Sequence, residues 1–203
     1  MTIVIGLTGG IASGKSTVIN ILKQYFPIID ADLIARQVVM PGTIGLDEII
    51  ATFGKKILQK DGTLNRRLLG NIVFSDSQQL AKLNKIEAPL IREGIMHKID
   101  NWRCQNVPLG VLDMPLLFEQ HYQKICDQII VVNVNPKIQI KRLMFRNHFT
   151  CCEALQRINS QMPLSQKVKQ ANIVIDNNGT FLQLKNEVLL VVKKLQQMIR
   201  RGE

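Results

Sequence analysis

Residues 5–22, IGLTGGIASGKSTVINIL, restrict what this chain can fold into more than any other stretch. Their centre, Gly9-Gly10-Ile11-Ala12-Ser13-Gly14-Lys15-Ser16, fits the pattern G-x-x-x-x-G-K-[ST]. Glycines at those places let the backbone curl closely round an anion, with successive N–H groups turned inward. A helix starting at the lysine adds the positive end of its dipole. The device therefore needs a buried strand before it and a helix after it. The sequence supplies both: TIVIGLT is a short β-branched run, and KSTVINILKQYF places apolar residues at 18, 19, 21, 22 and 26. Lys15 is expected to neutralise the β- and γ-phosphates of a nucleotide, and the Ser16 hydroxyl to ligate Mg²⁺.

The rest of the chain repeats the strand–helix alternation. PIIDAD reads as a second strand and LIARQVV as the helix after it. A third strand is expected at about 109–113, a fourth in DQIIVVNV and a fifth in ANIVIDNNG. The fourth is apolar throughout, as a parallel strand covered on both faces must be. Helices are expected in GLDEIIATFGKKIL, RRLLGNIVF, KIQIKRLMFRN and CCEALQRINSQM, with KDGTLN as a turn. Residues 76–102 carry a long helical pattern that Pro89 should interrupt. Apolar residues at 181, 184, 188, 191, 195 and 198 form one last helical stripe. The expectation is an α/β fold with a five-stranded parallel sheet flanked by helices. Its core would comprise about 1–32, 106–139 and 171–203, with a helical insertion at about 33–105 and a small helical lid at about 140–165.

Composition narrows the partners. Lys and Arg outnumber Asp and Glu by 26 to 16, a formal charge of +10, yet the basic residues are scattered and lack interleaved aromatics. That favours a phosphorylated small molecule over nucleic acid. No run of about 18 uncharged apolar residues suggests a membrane span. The start of the chain, with no basic residue before Lys15, does not read as a secretory signal. Cys104, Cys126, Cys151 and Cys152 lack the spacing of a metal site or disulfide framework, so free thiols in a reducing cytoplasm are expected.

The loop motif alone does not separate a kinase from a GTPase or an ATP-driven motor. The chain lacks the N-K-x-D of guanine recognition and is short for a motor. A small-molecule kinase leads, and a kinase needs a base beside its acceptor hydroxyl. Asp30 and Asp32 end the second strand, at the edge where α/β proteins bind ligands. Asp32 is also placed to cap a helix beginning at Leu33. The spacing favours Asp30 for structure and leaves Asp32 open between cap and catalysis.

Beyond the loop, DADLIARQVVMPG, DGTLNRRLL, DMPLLFE and VIDNNG follow in an order that resembles the dephospho-CoA kinase family, over residues 3 to about 180. The resemblance implies a P-loop kinase that moves the γ-phosphate of ATP to the ribose 3′-hydroxyl of dephospho-CoA. It also implies a nucleotide-binding core, a helical substrate domain, a mobile lid and Mg²⁺ as cofactor. By motif, Asp32 matches the catalytic base, and Ala12, Ser13, Gly14, Lys15, Ser16 and Thr17 match the ATP phosphate loop, with Gly10 and Ile11 leading into it. Asp113 holds a Walker-B-like place as a water-mediated Mg²⁺ ligand, followed by Glu119, and Arg66, or its neighbour Arg67, resembles a substrate-side arginine. Arg142 and Arg146, four residues apart on one helix face, fall where such kinases carry lid arginines. The DNNG turn falls where related kinases approach the adenine, and an Asx-rich turn is the alternative. Ala88, Met114 and Asn147 depart from residues common in relatives. A nucleoside or nucleotide kinase on the same architecture, and a basic ATP-switched nucleic-acid-binding protein, remain the rival readings. A monomer is favoured, with ATP and dephospho-CoA as its only partners.

Overall fold

The computed structural model describes residues 2–201. Its polypeptide separates into two compact units, one formed by the chain before Asp30 and after Asn101, the other by Asp30–Asn101.

The first unit is organised by β1 (Ile3–Gly9), which pairs in parallel with β3 (Leu109–Asp113) on one side and β4 (Gln128–Asn133) on the other. β5 (Ile173–Asp176) extends the sheet beyond β4, and β2 (Ile28–Asp30) lies outside β3, giving the order β2-β3-β1-β4-β5. Register sets Leu7 opposite Asp113 and Gly9 opposite Val132, so the ends of the three middle strands converge where β1 gives way to the glycine-rich loop. α1 (Lys15–Leu22) and the long α9 (Phe181–Arg201) pack on the sheet through Val18, Leu22, Leu184, Val188 and Leu195. These residues meet Ile5, Leu7, Val111 and Ile130 in one continuous core. Close packing decides the glycine at 110: a Cβ there would collide with the ring of Trp102. That indole is 8% exposed and fills the space at Gly110 where a side chain would stand.

Between β4 and β5 run α6 (Pro136–Asn147), α7 (Cys151–Asn159) and α8 (Leu164–Lys169). α6 has Pro136 in its first turn and Asn135 as cap. Thr150 and Glu153 form a reciprocal capping box that fixes the start of α7. The sequence pattern predicts α6 and α7 but not the six-residue α8.

The second unit is helical: α2 (Ala31–Gln37), α3 (Ile44–Phe53), a short 3₁₀ turn (Lys55–Ile57), α4 (Arg66–Phe74) and most of α5 (Ser77–Cys104). Thr43 and Asn65 cap α3 and α4 through bonds to the N–H groups of Leu46 and Leu68. Its core gathers Leu46, Ile49, Phe53, Ile57, Leu69 and Val73. One expectation fails here, because α5 runs unbroken through Pro89. Proline withholds one backbone donor and crowds the preceding turn. Leu83 before it and Ile95 and Ile99 after it are buried, so the helix is held on both sides of the proline, while Pro89 itself faces solvent. Among the described residues no helix is long and apolar enough to cross a membrane.

Candidate functional site

The loop after β1 is shaped from within and held from outside. Ala12 and Gly14 take left-handed backbone conformations, φ 59° and φ 92°, which turn the chain back toward the start of α1. The Ser13 N–H donates to the Gly10 carbonyl at 3.0 Å. Gly14 precedes α1 without providing a side-chain cap, so the first turn of that helix offers its N–H groups to an outside acceptor.

Three amide side chains grip this loop from far along the chain. Asn177, just past β5, donates from Nδ2 to the Ser13 carbonyl at 2.7 Å. Gln139 on α6 donates from Nε2 to the Ile11 carbonyl at 2.7 Å. Gln161, after α7, accepts the Ile11 N–H on Oε1 at 3.1 Å. Gly14 is glycine for a second reason besides its backbone angle: a Cβ would collide with the Asn177 amide.

Lys15 forms an ion pair with Asp113, at the end of β3. Asp113 is 9% exposed, so the Walker-B-like position expected from the sequence lies beside the loop lysine. Ser16, one residue on, is exposed. Arg142 donates to the Asn177 carbonyl at 3.1 Å and is half-buried. Arg146, on the same helix, is exposed and bonds only its neighbour Asn147 among the interactions described, at 2.9 Å. The two arginines share a face, but Arg142 alone is fixed at the loop.

The DMPLLFE segment has a structural part. The Met114 N–H bonds the Leu7 carbonyl at 3.0 Å, and the Pro115 carbonyl accepts from both Thr8 Oγ1 and Lys167 Nζ, at 2.9 Å and 3.0 Å. Fully buried Lys167 pairs with Glu119 at 2.8 Å, and Glu119 also accepts the Met162 N–H at 2.9 Å. The DNNG turn is likewise an Asx turn, with the Asn178 N–H on Asp176 Oδ1 at 2.8 Å. Cys126 lies against Gly6, and burial, with the charge of Asp127 adding to it, pushes its thiol up to about 12.

In the second unit Asp30 caps α2, accepting the Leu33 N–H at 3.0 Å. Asp32 sits in the first turn of α2 with its side chain exposed, not serving as the cap. Arg66 donates to the Arg36 carbonyl at 3.4 Å and remains exposed, as does Arg67. Burial pushes the Glu87 carboxyl up from its ordinary value, and the charge of Arg66 partly offsets that. A cavity of ≈ 560 Å³ opens beside α3 and α5, lined by Ile44, Leu90, Gly94 and Met96, with Glu93 and His97 as polar neighbours.

Asn177 falls in the DNNG turn that the resemblance sets near the adenine, though not as a holder of the loop, and Gln139, Gln161 and Lys167 carry no signal as site residues in the sequence. The nearest hint is Gln139 itself, a polar residue four before Leu143 and on its buried phase of α6.

A parallel sheet with this loop leading from its central strand into a helix defines a P-loop kinase fold. The shikimate kinase of Bacteroides thetaiotaomicron shares that fold, with a TM-score of 0.52 at 16% identity over 96% of this chain and 98% of its own. More specific matches cover nearly the whole sequence. The family model for dephospho-CoA kinase matches residues 3–183. The dephospho-CoA kinase of Listeria innocua is 47% identical over 191 residues, 94% of this chain and 96% of that protein. The solved dephospho-CoA kinase from Campylobacter jejuni superposes with a TM-score of 0.76 at 28% identity, covering 97% of this chain and 98% of its own. The chain belongs to the dephospho-CoA kinase family.

Proposed function

We propose that this chain transfers the γ-phosphate of ATP to the ribose 3′-hydroxyl of dephospho-CoA, giving coenzyme A and ADP in the cytoplasm. The observation that carries the proposal is the phosphate loop with Lys15 paired to Asp113, in a chain matched along its length by kinases of that name. The N–H groups of the loop and of the start of α1 that are not taken up in its own turns, as those of Ser13 and Thr17 are, cradle the phosphates. Lys15 turns from Asp113 to the β- and γ-phosphate oxygens when nucleotide enters. Arg142, already fixed at the loop, meets the charge that spreads over the transferring phosphoryl group, and Arg146 joins it on lid closure.

Mg²⁺ fits this donor set. Ser16 and Asp113 are hard oxygen ligands, and among the described residues no group of three or more His, Cys, Asp or Glu forms a closed cage. Mg²⁺ in phosphoryl-transfer sites keeps waters and phosphate oxygens alongside one or two protein ligands. Bound there, it would neutralise charge on the phosphates; Ser16 would hold it directly and Asp113 through water.

Asp32 orients or deprotonates the acceptor hydroxyl. What supports this is that Asp30 takes the cap, leaving the Asp32 carboxylate exposed for another task. Arg66 engages the acceptor's phosphates, and the largely apolar cavity beside α3 and α5 suits its long, amide-bearing arm. The test is ADP release with ATP and Mg²⁺, with and without dephospho-CoA, the product identified by mass. Release that requires the acceptor and adds one phosphate to it is expected. ATP turnover indifferent to dephospho-CoA would overturn the assignment.

A further inference from the structure

One residue of the phosphate loop, Ile11, is clamped on both of its backbone polar atoms by side chains. The Ile11 carbonyl accepts from Gln139 and the Ile11 N–H donates to Gln161. Gln139, 3% exposed, has no freedom to leave: a Cβ on Gly10 would lie 2.6 Å from its Nε2, so the chain keeps glycine there to admit the amide. Gln161 is anchored differently. It lies in the turn closing α7, its own N–H on the Ile158 carbonyl at 3.3 Å. The next residue, Met162, is tied to Glu119, which is paired to buried Lys167.

The two glutamines hold opposite ends of the segment that carries Arg142 and Arg146. The choice of glutamine at 161 is chemically informative. A glutamate has the same length, and its carboxylate accepts an N–H more strongly than an amide does. If holding Ile11 were the whole task, glutamate would serve at least as well. The difference is a negative charge beside a loop whose N–H groups and lysine face a polyanion.

Resting on the kinase reading, we propose that Gln161 is a positioning residue for the nucleotide. Its neutral carbonyl oxygen holds the leading half of the phosphate loop without repelling the phosphates. The helix pair bearing the two arginines and the loop that binds ATP are thereby seated together.

Two substitutions separate this from a purely structural part. Gln161→Glu keeps the acceptor and adds the charge; Gln161→Met keeps the length and removes the acceptor. Gln161→Glu should raise KM for ATP by about tenfold or more, an effect that shrinks with added salt. Gln161→Met should raise it by about three- to tenfold, the worth of one hydrogen bond. Both should leave KM for dephospho-CoA within about twofold, a margin inside the ordinary scatter of one such bond.

Thermal melting supplies a readout without acceptor or turnover. Gln161→Glu should melt at or above the wild-type midpoint when ligand-free, yet gain less on adding ATP. Since that shift needs no phosphoryl transfer, the proposal and the assigned reaction fail separately. Wild type that binds ATP but ignores dephospho-CoA defeats only the latter. A Gln161→Glu enzyme with wild-type ATP KM and melting shift overturns the proposal. So does one in which the ligand-free midpoint falls and both KM values rise together. If Gln161→Glu does not fold, Gln161→Met decides alone: an unchanged KM for ATP overturns the proposal.

Discussion

The loop end of the first unit and the exposed helical surface of the second, proposed as the acceptor side, are built on opposite plans. Around the loop, distant segments converge: Asn177, Gln139 and Gln161 hold its backbone, and Lys15, Asp113 and Arg142 are all engaged. In the second unit Asp32, Leu33, Met40, Ile44, Arg66 and Arg67 are exposed, and caps rather than long-range bonds set the helices. Preorganisation is worth most where charge develops during reaction, since fixed donors need not reorganise at that moment. A surface that must receive a long flexible molecule gains less from being rigid in advance. On the proposed reading, the contrast teaches that the phosphate-binding groups are held in place beforehand in one unit, while Asp32 and the acceptor-side groups proposed in the other are exposed side chains that ligand must order.

Substitution can break that comparison or sharpen it. Removing a charge that the loop has preorganised should cost most: Lys15→Ala is expected to lower kcat by about two to three decades. A Lys15→Ala enzyme with wild-type turnover breaks the contrast outright. Asp32→Asn should lower kcat by about two decades, the scale of a lost general base, while binding of ATP to the free enzyme, read by calorimetry, stays as in wild type. Weaker nucleotide binding in that variant would mean that the two surfaces are not divided as described.

Lys167→Met leaves Glu119 without its cation and should destabilise the first unit by about 3 kcal/mol, at the lower end for a broken buried pair because Glu119 is 22% exposed. Chemical denaturation reads this directly. Ile44→Glu, at an exposed first-turn position of α3 that tolerates a carboxylate, should raise KM for dephospho-CoA by about three- to tenfold with KM for ATP unchanged. Equal changes in both KM values would remove the cavity from the acceptor's path. The smallest effect is a rate difference among thiols. Cys104, Cys151 and Cys152 are exposed and should react with a maleimide at pH 7.5. Cys126, its thiol pushed up to about 12, carries almost no thiolate there and should react only on unfolding, as mass analysis after brief labelling will show.

Much of this arrangement is legible in the chain. The strands are short apolar runs bounded by glycine, proline or acidic residues, and β3 falls at 109–113 as its composition predicts. The loop is legible because its function needs particular residue types at fixed spacing. The cap of α2 is off by two residues: the sequence places a candidate cap at Asp32, whereas the helix begins at Ala31 and Asp30 caps it. Pro89 misleads because a local rule is outweighed by burial on both sides of it. That these amides hold the loop is invisible for a different reason. Their partners lie 164, 128 and 150 residues away, and an amide's hydrogen bonding is assigned by the tertiary fold rather than by its neighbours in sequence.

Trp102, the sole tryptophan of the chain, has its ring against Gly110. Intrinsic emission excited at the indole band is therefore an optical signal from the first unit alone. Far-ultraviolet dichroism, by contrast, draws on helices from both units. Overlaid melting curves from the two methods would say whether the molecule comes apart in one cooperative event, and a dichroism change preceding the fluorescence change would date the loss of the helical insertion.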